Sequence, residues 1–473
     1  MFRLLIVLGL QLFVLGLLGA QERGYHIQVD LDGYQEEELY LAYYYGNSQY
    51  IRDTVSANED GSFLFTGEEP LPPGMYLIVM APDNQYVEVI VPENDQIFSL
   101  ATSVQDPIAD LKVIGSKENQ LFYDYLNYLG TMRTHAGALE KQMTDLPDNA
   151  DKTELQGKLE QIGEEVSAYQ RRIMREFPES LTALLIRANL PMEYPEFSGT
   201  EEEKNTRRWR YANEHIFDNL DLADPRLLYT PFLFQRVDQF INKLTVQHPD
   251  SLIRAVDRVL DLARPAEENF RFLLIHFLNK YAGSKYVGMD AVYVHLAQEY
   301  YGKGLASWVE EEQLNKILEN AEGLEKTLIG KIAPDITLQK RDGNTFALHD
   351  IDSKYTVLYF WKYDCGHCKE SMPHMKEFYT QFKDRGVTLL AVCVKFTDDV
   401  PGCWEYVDEN GLGDWLHAVD PYHRSNFSSK YYIKSTPQIF VLDRDKKIIM
   451  KRIGAEQLGE VMNKIMESDA SGP

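Results

Sequence analysis

Three successive hydrophobic periods predict a multidomain chain: an N-terminal antiparallel β-sandwich, a central all-α domain and a C-terminal α/β domain. Alternation with a period of two fills residues 21–105, a helical period fills 106–325, and strands alternate with helices over 326–473. A length of 473 residues is in any case too great for a single core.

Residues 1–20 stand apart from all three. One positive charge at Arg3 precedes a nearly continuous apolar run from Leu4 to Leu18, closed by the small residues Gly19 and Ala20. That is the layout of a secretory signal peptide cleaved after Ala20. An uncleaved anchor is the rival reading, because the run is just long enough to reach across a bilayer. No cysteine lies nearby for lipid attachment, and no later segment is apolar enough to cross a membrane. A protein outside the cytoplasm, soluble and with no membrane span after cleavage, is therefore expected.

In the β region, His26 to Leu31 alternates polar and apolar, which puts every second side chain on one buried face. Runs at Glu38–Tyr45, Ser62–Phe65, Met75–Met80 and Tyr86–Val91 follow, separated by turn signals such as Asp60-Gly61 and Pro72-Pro73-Gly74. The aromatic cluster Tyr40 to Tyr45 is either a ligand-binding face or, more plainly, sheet packing. In the helical region Ser116 is placed to cap a helix carrying Leu121, Phe122, Tyr125, Leu126 and Leu129. From Asp151 a stripe of Leu155, Leu159, Ile162, Val166, Tyr169 and Ile173 marks a helix packing on a neighbour, with a coiled-coil dimer as the alternative. His215, His276 and His295 have no metal-ligand partner at helical spacing and read as structural.

Composition narrows the partners. Forty-eight Lys and Arg against 73 Asp and Glu leave a net charge of -25, which repels phosphate backbones and disfavours nucleic-acid binding. Four cysteines exclude a disulfide-stapled scaffold. All four, Cys365, Cys368, Cys393 and Cys403, fall in the last quarter.

The chemistry concentrates at Tyr355–Trp361, an apolar strand of the buried parallel kind that runs into Lys362-Tyr363-Asp364-Cys365-Gly366-His367-Cys368 and a helix. A Cys-x-x-Cys at such a junction sets the first sulfur at the positive end of a helix, where a thiolate is favoured. Cys365 is then the attacking sulfur and Cys368 the resolving one. Zinc needs ligands that the spacing does not supply, covalent haem needs a His where Lys369 stands, and a purely structural disulfide is poorly motivated here. No metal or cofactor is expected. Cys393 lies in an apolar strand and Cys403 at a helix start; they are either two free thiols or a disulfide closing a short loop.

The run Ala333-Pro334-Asp335, Phe360-Trp361, Cys365-Gly366-His367-Cys368 and Pro373, with Ser435-Thr436-Pro437, Val441-Leu442-Asp443 and Gly454, resembles the exported thioredoxin-like family typified by TlpA and ResA. More loosely, the whole layout resembles multidomain envelope proteins of the Bacteroidota. The resemblance implies a C-terminal thioredoxin fold acting as a protein thiol–disulfide oxidoreductase. Its partners would be protein disulfides or dithiols and a redox protein that resets the pair. It also implies a cis Thr436–Pro437 bond facing the sulfurs and offering backbone to an extended substrate chain. Trp361 is expected at the substrate groove or packed beneath the loop.

Departures from the family pattern carry expectations of their own. Asp364 replaces the usual Trp and would disfavour a thiolate at Cys365, whereas protonated His367 would favour it, as in the Cys-Gly-His-Cys sites of protein disulfide isomerases. Tyr359 stands where thioredoxins carry a buried acid. Peroxiredoxins share Ala-Pro-Asp but place a Thr where Lys362 stands, so peroxidase activity is not expected. A different class of function, an envelope scaffold using this domain only as an interaction module, is the alternative.

Overall fold

The computed structural model describes residues 24–147 and 151–471, so the expected signal peptide at 1–20 lies outside the described residues. The chain forms two units that divide between Gln239 and Phe240.

In the first unit the period-two alternation becomes eight strands: β1 (Tyr25–Asp32), β2 (Glu38–Tyr45), β3 (Ser48–Ser56), β4 (Phe63–Gly67), β5 (Gly74–Met80), β6 (Gln85–Val91), β7 (Ile97–Ser103) and β8 (Lys112–Ile114). They make two four-stranded sheets, β4-β1-β7-β8 and β3-β2-β5-β6. The expectation of a wholly antiparallel sandwich needs correction, because β1 and β7 pair in parallel, His26 opposite Ile97. A parallel neighbour requires a long crossover, and the excursion into the second sheet between β1 and β7 supplies it. β8 pairs with β7 and carries sheet structure past residue 105. The tyrosine run packs on its own surroundings: the Tyr43 ring lies 5.9 Å from Tyr50, 6.0 Å from Tyr76 and 6.1 Å from Tyr229.

Helix α1 (Lys117–Asp145) starts where the capping signal puts it, Ser116 Oγ accepting from the Asn119 N–H at 3.2 Å. Asn119 is fully buried and reaches across to β6, where its amide both accepts from the Ile90 N–H and donates to the Ile90 carbonyl. The stripe of α2 (Thr153–Glu176) faces α1, with Tyr169 against Tyr125 and Tyr128. Three further helices, α3 (Leu181–Asn189), α4 (Glu201–His215) and α5 (Phe232–Gln239), complete the unit.

The second unit begins with four helices, α6 (Pro249–Ala263), α7 (Glu267–Ala282), α8 (Asp290–Leu296) and α9 (Glu311–Glu325). His295 bonds Asp257 at 2.7 Å, and in the first unit His215 bonds Asp218 at 2.6 Å. An α/β layer follows: β9 (Thr337–Gln339), β10 (Thr345–Ala347), β11 (Tyr355–Trp361), α10 (Gly366–Phe382), β12 (Val387–Cys393), α11 (Val400–Glu409), β13 (Leu416–Val419), α12 (Phe427–Lys430), β14 (Gln438–Leu442), β15 (Ile448–Lys451) and α13 (Ala455–Ser471). The sheet order is β10-β9-β13-β12-β11-β14-β15. β11 pairs in parallel with β12 and antiparallel with β14, and every one of its residues is buried. Tyr355, Val357, Tyr359 and Trp361 pack in one layer with residues of α10 and α13, while Leu358 and Phe360 enter the opposite layer beside Phe427 and Tyr431.

Helices and α/β layer meet within this unit through Lys451 and Tyr432. Lys451 at the end of β15 forms a buried ion pair with Asp290 of α8. On α9, Asn320 hydrogen-bonds the Tyr432 hydroxyl, and Gly323 admits the Tyr432 ring where any Cβ would overlap it. Among the described residues no helix is long and apolar enough to cross a membrane.

Removing one partner of a buried pair leaves an uncompensated charge, so Asp290→Asn is expected to cost about 3–5 kcal/mol. Asp290→Leu combined with Lys451→Met should recover most of that loss. Urea denaturation followed by tryptophan fluorescence distinguishes the two outcomes.

Candidate active site

A strand buried on both faces cannot stop inside the sheet; its chain must emerge at the C-terminal edge before turning. β11 ends at Trp361, residues 362–364 make the turn, and Cys365 is the N-cap of α10 with extended backbone, φ -95° and ψ 122°. Its carbonyl accepts the first helical bond, from the Lys369 N–H at 3.0 Å. Cys368 therefore sits in the first turn of the helix.

Both cysteines are free thiols, Cys365 partly exposed and Cys368 buried at 1% exposure. The Cys365 thiol donates to the Thr436 carbonyl at 3.3 Å. The Thr436–Pro437 bond is cis. Thr436 Oγ1 is buried beside the sulfurs and meets no other acceptor, so its hydroxyl is placed to donate to a thiolate.

Burial opposes charge on both sulfurs, yet they diverge. At Cys365 burial is outweighed by donors from the Cys368 thiol and backbone N–H, by the Thr436 hydroxyl and by the Lys362 charge, and its pKa lies below the ordinary thiol value. At Cys368 burial dominates and the neighbouring Cys365 adds to it, pushing the thiol up to about 11. Of the two, the accessible sulfur is the more acidic.

His367 is exposed and its Nδ1 lies 3.2 Å from Glu370 Oε2. Pro437, His367, His374, Lys434 and Arg452 line a groove of about 660 Å³ beside the pair. Trp361 is not in it. At 1% exposure it packs 5.5 Å from the Tyr406 ring, so the expectation that it contacts substrate is corrected. The reason is the pleat: Trp361 continues the inward row that Tyr355, Val357 and Tyr359 set along β11. Tyr359, fully buried, shares a hydrogen bond of 2.8 Å with Ser371 Oγ, and burial raises its phenol pKa well above the ordinary value. Cys393 and Cys403 are joined in a disulfide.

One pair was missed in the sequence. Lys395 Nζ donates to Asp364 Oδ2 at 2.8 Å and lies 3.4 Å from Asp399. The usable signal was topological, since β12 is the parallel neighbour of β11 and the ends of adjacent parallel strands converge on a site.

A thioredoxin-like fold with a Cys-x-x-Cys at the start of its active-site helix defines a thiol–disulfide oxidoreductase. The AhpC/TSA family model matches residues 329–451. Two domains of unknown function, DUF4369 and DUF5106, match 25–122 and 149–327. Thiol-disulfide oxidoreductase ResA of Bacillus thuringiensis (strain Al Hakam) is 31% identical over 144 residues, covering 30% of this chain and 80% of the relative. ResA of Geobacillus thermodenitrificans (strain NG80-2) is 39% identical over 146 residues, covering 30% and 81%. Among solved structures, a domain of a possible thiol-disulfide isomerase from Cytophaga hutchinsonii ATCC 33406 is 30% identical, covering 30% of this chain and 97% of its own, with a TM-score of 0.29. The chain belongs to the ResA thiol–disulfide oxidoreductase family through its C-terminal domain.

Because only a thiolate alkylates, substoichiometric iodoacetamide on the dithiol form at pH 7 is expected to label Cys365 at least about tenfold faster than Cys368. Peptide mass mapping reads the ratio.

Proposed function

We propose that the chain is an exported protein thiol–disulfide oxidoreductase that cycles Cys365 and Cys368 between dithiol and disulfide. The observation that carries this reading is the asymmetry of the pair: an accessible sulfur with a lowered pKa above a buried one with a raised pKa, beside a cis-proline loop. In the reducing direction the Cys365 thiolate attacks a substrate disulfide, forming a mixed disulfide and expelling one substrate thiolate. Cys368 then loses its proton and attacks Cys365 Sγ, expelling the second substrate thiolate. Two electrons pass to the substrate, and the enzyme retains a Cys365–Cys368 disulfide for an envelope partner to reset. The oxidising direction is the reverse.

In this reading residues 326–473 carry the chemistry, and the regions 21–105 and 106–325 recruit substrates or partners. Export rests on the apolar run that ends at Ala20, and protein substrates are in keeping with the ResA relatives. Thr436 and Pro437 are assigned to substrate backbone and His367 to tuning the pair. Insulin reduction with dithiothreitol, comparing the wild type with Cys365→Ser, tests the core of the proposal. Loss of turnover to the uncatalysed rate supports it. Equal turnover would instead favour the scaffold reading, which draws on the two matched domains of unknown function.

Stabilising a thiolate stabilises the dithiol state and makes the disulfide more oxidising. With Cys365 favoured as a thiolate and a Cys-Gly-His-Cys loop, the pair is expected nearer the isomerase potential, about -180 mV, than the thioredoxin potential, about -270 mV. Equilibration with glutathione buffers measures it, and a value at the thioredoxin end refutes this assignment.

A further inference from the structure

Asp364 presents a chemical difficulty. A carboxylate directly before the attacking cysteine opposes its ionisation, yet the site favours a thiolate there. The surroundings of Asp364 resolve it. β11 and β12 run in register with Trp361 opposite Cys393, and the Val394 N–H donates to the Trp361 carbonyl at 2.8 Å. Two residues beyond Cys393 the chain therefore reaches the redox loop, and Lys395 closes on Asp364 at 2.8 Å.

Two further contacts keep it there. The Lys395 ammonium lies 5.0 Å from the centroid of the Tyr363 ring, which precedes Asp364. Gly402, on the far side of the same loop, meets that ring so closely that a Cβ would come within 2.7 Å of Tyr363 Cζ. The Cys393–Cys403 disulfide joins the two ends of this segment. Lys395 is thus carried on a covalently closed loop pressed against the redox turn, and its side chain is only 17% exposed.

We propose that Lys395 is a positioning residue of the redox site, which neutralises Asp364 and thereby keeps Cys365 reactive as a thiolate near neutral pH. It acts through Asp364 and does not touch the reacting sulfur. The two groups hold one another charged: the hydrogen bond from Lys395 lowers the Asp364 pKa, and the same bond raises that of Lys395. Other titratable or charged groups surround the turn. They are Lys362 on the turn itself, Tyr359 beneath it on β11, Cys368, His367 and Glu370 on α10, and Asp399 and Tyr406 on the Lys395 loop and α11. Lys434, Arg452 and Glu456 stand across the groove. Of these, Asp399 also meets Lys395, at 3.4 Å, and shares its charge.

The test is the pH dependence of iodoacetamide labelling at Cys365 in the full-length dithiol protein, read by peptide mass mapping. Lys395→Met is expected to raise the labelling midpoint by about 0.5–1 pH unit, the low end of the range for a neighbouring charge because the pair is partly solvated. Lys395→Arg keeps the charge and should leave the midpoint in place. Asp364→Asn should not raise it, and Asp364→Asn combined with Lys395→Met should return it to or below the wild-type value. A Lys395→Met profile that superimposes on wild type overturns the proposal. So does a double variant as displaced as Lys395→Met, since Lys395 would then act on the sulfur directly. Far-ultraviolet circular dichroism of each variant confirms that it is folded. The proposal rests on Cys365 being the attacking sulfur. Labelling of Cys368 in place of Cys365 in the wild type removes that foundation, whereas Cys365 labelling indifferent to Lys395 removes the proposal alone.

Discussion

The placement of the candidate redox pair depends on the junction between a strand that is buried on both faces and the helix that follows it. Once β11 is committed to the middle of the sheet, its exit point is fixed, and α10 must begin there. Cys365 falls on the cap and Cys368 in the first turn. Nothing in the chemistry of the two side chains distinguishes them. Their surroundings do: burial opposes charge on both sulfurs, but hydrogen-bond donors and the Lys362 charge outweigh it at Cys365, whereas burial prevails at Cys368.

The layer beneath the pair is neutral by construction. Tyr359 fills the inward position below α10 and bonds Ser371, whose hydroxyl in turn donates to the Cys368 carbonyl at 2.9 Å. A phenol with a pKa raised by burial holds no charge near neutral pH, and the charge that acts on Cys365 is that of Lys362 on the turn.

Sequence reading was most reliable where local and global demands agree. β11 is legible to the residue because a short run of β-branched, aromatic and aliphatic side chains, polar only at Thr356, is too short for a helix and suits a strand buried on both faces, and Ser116 is legible as a cap because its hydroxyl acts within one turn. β13 and α12 escaped notice. Leu416–Val419 is four residues long and interrupted by His417, and Phe427–Lys430 is a single turn; neither is long enough to show a period. β3 was missed because it exposes most of its side chains at a sheet edge and lacks clean alternation. The parallel β1–β7 pair and the Lys395–Asp364 contact are products of register between distant segments, which no local pattern encodes. Of the two positions open to Trp361, the pleat selects the inward one, packed beneath the loop.

Tyr432 gives the helical region a stake in the chemistry. It stands four residues before Thr436, with φ of 51°, and its ring and hydroxyl are seated by Gly323 and Asn320 of α9. The approach to the cis-proline is therefore moulded by residues that precede the α/β layer in the chain. A fragment cut at residue 326 would keep both sulfurs and lose the socket that shapes one wall of the groove. The sulfur pair and the wall of the groove beside it thus draw on different lengths of this polypeptide.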